Sequence, residues 1–90
     1  MKKDDNKSRK LIFDEEGLRL FAKRLKEVRA EKKISQEELA LRSELTLSQI
    51  ARIETVRINP TISTVFKIAR TLDVPLSELF NFELEPTSNK

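Results

Sequence analysis

The chain has 90 residues, 37% of them charged, with 18 Lys/Arg against 15 Asp/Glu for a formal charge of +3. That length holds one domain, since two bodies of this size could not each bury a sufficient core. With no Cys and no His, disulfides, thiolate zinc sites and the usual general base are excluded, so a catalytic, metal or cofactor role has little to stand on.

No apolar run approaches the roughly 20 residues of a membrane span, and the opening MKKDDNKSRK lacks the apolar core of a signal peptide. A soluble cytoplasmic protein is the expectation. The charge is uneven: residues 1–10 carry five Lys/Arg against two Asp, and residues 18–33 carry seven against two Glu. Residues 34–54 hold Glu37, Glu38, Glu44 and Glu54 against Arg42 and Arg52, so the middle of the chain is not itself strongly cationic. Residues 1–13 read as a flexible basic arm whose Lys2, Lys3, Lys7, Arg9 and Lys10 act as a solubilising tail or follow a DNA backbone.

Pro and Gly are scarce and helical spacing recurs, which predicts an all-α fold with five helices in a domain spanning 14–80. The first helix starts at the N-cap Asp14, with Glu15 and Glu16 in its first turn, and runs to about Lys33. Leu18, Phe21, Ala22, Leu25 and Val28 recur at intervals of three and four and form its buried stripe. Ser35 with Glu38 makes a capping box for a second helix from Gln36 to near Ser43, with Leu39 and Ala40 inward. Thr46 caps a third helix over 47–55, anchored by Ile50 and Ile53. Pro60 and Thr61 open a fourth, with Ile62, Val65, Phe66, Ala69 and Leu72 on one face, ending before Asp73-Val74-Pro75. A fifth runs from Leu76 to Phe80.

The second and third helices fit a helix-turn-helix, with the small Ala40 where they cross and a turn near Ser43 to Leu45. The third would then enter a major groove about 12 Å wide with its N-terminal residues toward base edges. Thr46, Leu47, Ser48, Gln49 and Arg52 are the base-contacting candidates: Arg52 suits guanine, Gln49 adenine, Ser48 either donor or acceptor, and Leu47 with the Thr46 methyl a thymine methyl. Ser35, Gln36, Thr55, Arg57 and Asn59 bracket that helix and are the phosphate-contacting candidates.

These residues resemble the Cro/C1-type, phage-repressor-like (XRE) helix-turn-helix family. The likeness is carried over residues 18–80 by Arg29, by Ser35-Gln36-Glu37-Glu38-Leu39-Ala40 and by Ile50 to Glu54. Asn59-Pro60, and Ile68-Ala69 through Leu72 to Leu79-Phe80, extend it. It implies a five-helix domain binding double-stranded operator DNA, usually as a two-fold homodimer. It also implies a charge pair between Arg29 and Glu54, with Arg29 near a phosphate. Glu44, Val56 and Asp73 stand where the family often has Gly. Left-handed backbone at Glu44 would cost on the order of 1–2 kcal/mol, whereas a differently shaped turn would re-aim the third helix.

Residues 81–90 form a tail in which Phe80-Asn81-Phe82-Glu83-Leu84-Glu85 alternates apolar and polar like a strand. Two placements are open: a small sheet with its symmetry mate or with Leu11 to Phe13, making Leu79, Phe80, Phe82 and Leu84 dimer residues, or packing on the first helix. The preferred function is a sequence-specific transcriptional regulator of repressor type. The rival is an antitoxin or adaptor that uses the same fold to grip a protein.

Overall fold

A computed structural model of the chain describes residues 11–86; residues 1–10 of the basic arm expected over 1–13, and residues 87–90 of the tail, lie outside the described residues. Five helices follow in order: α1 Glu15–Lys32, α2 Gln36–Ser43, α3 Leu47–Glu54, α4 Ile62–Leu72 and α5 Leu76–Leu79. The first four each begin on a side-chain cap. Asp14, Ser35, Thr46 and Thr61 accept from the backbone N–H three residues on, at 3.0, 3.0, 3.0 and 3.1 Å, and each such cap stabilises its helix by about 1 kcal/mol. At Ser35 the expected capping box is only half formed, because the Glu38 carboxylate turns to Arg42 instead. The complete box is at Thr46 and Gln49.

The helix ends obey one rule. At Lys33, Glu44, Val56 and Asp73 the backbone is left-handed, with φ of 59°, 64°, 60° and 58°. In each case the next residue's N–H reaches back five positions, as in Ile34 to the Arg29 carbonyl at 3.0 Å and Leu45 to the Ala40 carbonyl at 3.1 Å. This is the Schellman closure that glycine normally completes. Three of the following residues, Ile34, Leu45 and Val74, are apolar and pack on the core. Burying them offsets the left-handed strain, so the turn before α3 keeps its shape without Gly. At Val56 the following residue is the exposed Arg57, and no such compensation exists.

The core is built from Leu25, Leu39, Ile50, Ile68, Leu72 and Leu79, all essentially without solvent access. α3 packs against both α1 and α2, α4 against α1 and α2, and α5 against α1 and α4. On α4 the buried stripe differs from the expected one. Val65, Ala69 and Leu72 face inward, but Ile68 takes the centre, leaving Ile62 56% and Phe66 38% exposed. The helix is apolar over more than one face, so three-and-four spacing alone does not fix its rotation. Arg24 ties α5 to α1 by donating to the Glu78 carbonyl at 2.6 Å and its carboxylate at 2.7 Å.

No strand forms among the described residues. The tail packs on its own subunit instead: the Phe80 ring lies 5.6 Å from Phe21 and 6.2 Å from Phe82. Gly17 leaves room for the cap rather than the tail: a Cβ there would sit 3.0 Å from the capping Asp14 carboxylate but 3.4 Å, an ordinary contact, from the Leu84 side chain.

A single ionic cluster fixes α3. Arg29 meets Glu54 through two parallel bonds, Nε to Oε2 at 2.7 Å and Nη2 to Oε1 at 2.8 Å, and donates from Nη1 to the Ile34 carbonyl at 3.0 Å. Gln36 Nε2 donates to Glu54 Oε1 at 2.8 Å. The hydrogen bond to Glu54 holds the Arg29 guanidinium pKa above its ordinary value, against partial desolvation. The Glu54 side chain is 2% exposed, whereas the α1 surface pair Arg19–Glu15 is 62% and 66% exposed. Buried, the first pair cannot lose one member cheaply; solvated, the second contributes under about 1 kcal/mol.

Two stability predictions follow from these strains and charges. Arg29→Ala should lower the unfolding free energy by about 3–5 kcal/mol, against less than about 1 kcal/mol for Arg19→Ala, in urea denaturation of both variants. Equal losses would mean that the cluster does not carry α3. Val56→Gly should raise stability by about 1 kcal/mol, since relief of left-handed strain exceeds the added chain entropy. A lowered thermal midpoint would instead show that packing of the half-buried Val56 side chain dominates.

Candidate nucleic-acid interface

Only part of α3 is sunk in the domain. Ile50 and Ile53 are 0% and 3% exposed, while Thr46, Leu47, Ser48 and Arg52 face solvent and Gln49 is partly exposed. The helix thus presents its N-terminal edge outward, with Leu47 44% exposed at its first position. No acidic residue lies in its first turn, unlike α1 and α2. Its N-terminal partial positive charge is therefore not neutralised locally and favours an anion or an electron-rich edge.

The five base-contacting candidates come together on this edge, in unequal states. Among the described residues the Arg52 and Ser48 side chains have no hydrogen-bond partner, so their donors are available. Gln49 does not: its Oε1 accepts from Thr46 N at 2.9 Å. The donor–acceptor pair expected to grip adenine is therefore half occupied inside the protein. The signal for this was present in the sequence, since Thr46-Leu47-Ser48-Gln49 has the same box spacing as Ser35 to Glu38.

The phosphate candidates bracket α3, but several are already engaged. Ser35 is exposed as the cap of α2. Gln36 uses Nε2 on Glu54, leaving its second amide hydrogen for a phosphate. Thr55 donates its hydroxyl proton to the Ala51 carbonyl at 2.8 Å, so it could meet a phosphate only by giving up that bond. Asn59 donates to the Ile12 carbonyl at 3.3 Å and pins the segment before α1 beside the loop after α3. Arg57 is exposed and unpaired among the described residues. Arg29 and Glu54 form the pair that the family likeness implies, and three Arg29 nitrogens are turned inward by it.

The dimer candidates divide by burial. Leu79 is fully buried, so it has no surface to give a partner; short α5 turns it into the same core cluster as Leu72 and Leu25. Phe82 is half-buried against the same core. Phe80 and Leu84 remain 39% and 56% exposed. They border a shallow apolar groove with Ile12, which lies in the Leu11 to Phe13 segment expected beside the tail, and with Ile62, which the spacing along α4 predicts to face inward.

Among the described residues no helix is long and apolar enough to cross a membrane, and no group of acidic side chains is placed to hold a metal ion.

Comparison with known proteins agrees with this geometry. Residues 25–79 match the helix-turn-helix model of the HTH_3 family, more than half of the chain. The chain is 39% identical over 74 residues to the HTH-type transcriptional regulator PuuR of Escherichia coli strain K12, covering 82% of the chain but only 40% of that protein. It is 37% identical over 60 residues to the immunity repressor protein of Bacillus phage phi105, covering 67% of the chain and 42% of the repressor. The chain therefore spans about two fifths of the length of each of these two relatives. Among solved structures, the restriction-modification controller protein C.AhdI of Aeromonas hydrophila is similar at a TM-score of 0.67 and 38% identity, over 70% of this chain and 96% of that one. An HTH_3 family transcriptional regulator from Vibrio cholerae is similar at a TM-score of 0.72 and 28% identity, over 76% of this chain and 38% of that one. With its Schellman-closed turn, buried Ile50 and Ile53 and clamped Glu54, this chain belongs to the HTH_3 helix-turn-helix family.

Proposed function

We propose that the protein is a sequence-specific transcriptional regulator of repressor type that reads operator half-sites through α3. The single observation that carries this reading is the split of one short helix into a core-locked face, Ile50 and Ile53, and a solvent-facing N-terminal edge with unpaired polar groups. Arg52 donates to guanine O6 and N7, Leu47 and the Thr46 methyl pack on a thymine methyl, and Ser48 adapts as donor or acceptor. Arg57, the α2 N-terminus at Ser35, and the remaining amide hydrogens of Gln36 and Asn59 set the register on phosphates. Non-enzymatic relatives support a binding role, and the absence of His and Cys from the sequence is consistent with it.

Operator reading by this fold calls for two copies about 34 Å apart along the duplex. A homodimer is proposed on the apolar edge formed by Ile12, Ile62, Phe80 and Leu84, whose joint exposure is unusual for a surface that meets only water. Leu79 and Phe82 support that edge from beneath.

Arg52→Ala should weaken binding to a selected operator by about 1–3 kcal/mol and relax preference at one base pair. Arg57→Ala should weaken binding to all duplexes and reduce the slope of log affinity against log salt by about 1. Fluorescence-anisotropy titrations over a salt series read both, and an Arg52→Ala loss equal on operator and random DNA would sink the base-reading role. For the dimer, Leu84→Asp should shift the sedimentation mass at micromolar concentration from two chains to one with the fold intact. An unchanged dimer would remove this edge from the interface.

A further inference from the structure

Gln49 stands three residues after the N-cap Thr46, and the two are bonded reciprocally. Gln49 N donates to Thr46 Oγ1 at 3.0 Å, and Thr46 N donates to Gln49 Oε1 at 2.9 Å. The second bond sets the amide's orientation by chemistry alone, because a backbone N–H needs an acceptor and Oε1 is the only one a glutamine side chain has. Nε2 is therefore the group left over, and among the described residues it has no partner. Gln49 stands in the first turn of α3 with the exposed Leu47 and Ser48 and is itself partly exposed.

We infer that Gln49 meets DNA as a fixed single donor rather than as a donor–acceptor pair, and so selects guanine over adenine at its half-site position. The inference rests on the proposed reading of DNA by α3 and specifies one letter of it. Pairing with adenine requires Oε1 to accept from N6 while Nε2 donates to N7. Oε1 carries two lone pairs, but the bond from Thr46 N fixes the plane of the amide, and turning it to set both Oε1 and Nε2 against N6 and N7 would strain that bond and weaken half of the box that starts the helix, a loss comparable to the gain from the new contact. Guanine asks nothing of Oε1, since N7 and O6 are both acceptors. Cytosine offers the donor N4 against another donor. Adenine sets its N6 donor beside the one acceptor it has. Thymine offers O4 alone, next to a methyl group. The capping bond thus converts an ambiguous amide into a polarised one before DNA arrives.

The test is selection of bound sites from random duplex DNA by the full chain, as wild type, Gln49→Glu and Gln49→Ala. Gln49→Glu keeps an acceptor for Thr46 N and puts a carboxylate at a helix N-terminus, so its thermal midpoint should equal or exceed the wild-type value. Wild type should enrich guanine over adenine about fivefold to tenfold at one position of each half-site, the size of a modest base contact. Gln49→Ala should flatten that position alone. Gln49→Glu should move it to a base with a major-groove donor, cytosine or adenine, while the other positions hold. Adenine at that position in wild type, lost in Gln49→Ala, would overturn the inference by showing that the amide leaves Thr46. So would a site pattern that neither substitution alters. Wild type that binds duplex DNA but enriches no sequence would defeat the reading of α3 itself, and this inference with it.

Discussion

Glu54 is the only charged residue in the described interior, and a carboxylate at 3% exposure is tolerable only when fully partnered. Its two partners come from elsewhere in the chain, Arg29 late in α1 and Gln36 at the start of α2, while Glu54 itself ends α3. One point therefore sets the relative pose of three helices. Hydrophobic burial of Ile50 and Ile53 supplies the attraction that holds α3 to the domain, but greasy contacts tolerate rotation and slip. Two parallel guanidinium bonds do not. The outward aim of Leu47, Ser48 and Arg52 depends on that distinction, because a helix turned by a third of a revolution would bury the same groups.

Much of the fold was legible in the residues because its signals are local. Asp14, Ser35, Thr46 and Thr61 mark four helix starts, and the stripe Phe21, Ala22, Leu25, Val28 marks the buried side of α1. What escaped depends on tertiary surroundings. α4 carries apolar residues on more than one side, so which of Phe66 and Ile68 faces inward was decided by the helices around it. The alternation of Phe80, Phe82 and Leu84 has the period of a strand and leaves two placements open; among the described residues no strand forms, and the tail packs on the first helix. A tilted aromatic pair of Phe80 with Phe21 holds the tail to α1, with Leu84 lining the same groove as Gly17. Glu44 and Val56 looked like threats to the helix-turn-helix because they replace glycine. The backbone adopts the left-handed turn regardless, with Leu45 burial as the compensation after Glu44.

Of the candidate site, exposure was readable and bonding states were not. Ser48 and Arg52, four residues apart, share an exposed side of α3 as helical periodicity implies, and Thr46 and Leu47 are exposed at its N-terminal end. Hydrogen-bond commitments within the domain are set by distances that a sequence does not contain. Gln36, Gln49, Thr55 and Asn59 each engage a donor or acceptor internally, which leaves Arg52, Ser48 and Arg57 as the groups most available to a duplex. On the proposed reading, then, Gln36, Gln49, Thr55 and Asn59 are held in place by the bonds that build the helices and their loops, while Arg52, Ser48 and Arg57 stay free to adjust.

The central claim is that the N-terminal edge of α3, held outward by the Arg29–Glu54–Gln36 cluster, is the surface that meets DNA. Backbone amide chemical-shift mapping of the ¹⁵N-labelled chain, titrated with a selected operator duplex, tests it most directly. The account predicts that the largest changes fall on Thr46 to Arg52, with smaller ones at Ser35, Gln36 and Arg57 and little at Phe66, Arg70 or Leu76. Changes centred on the α4–α5 face, with Thr46 to Arg52 unmoved, would contradict it.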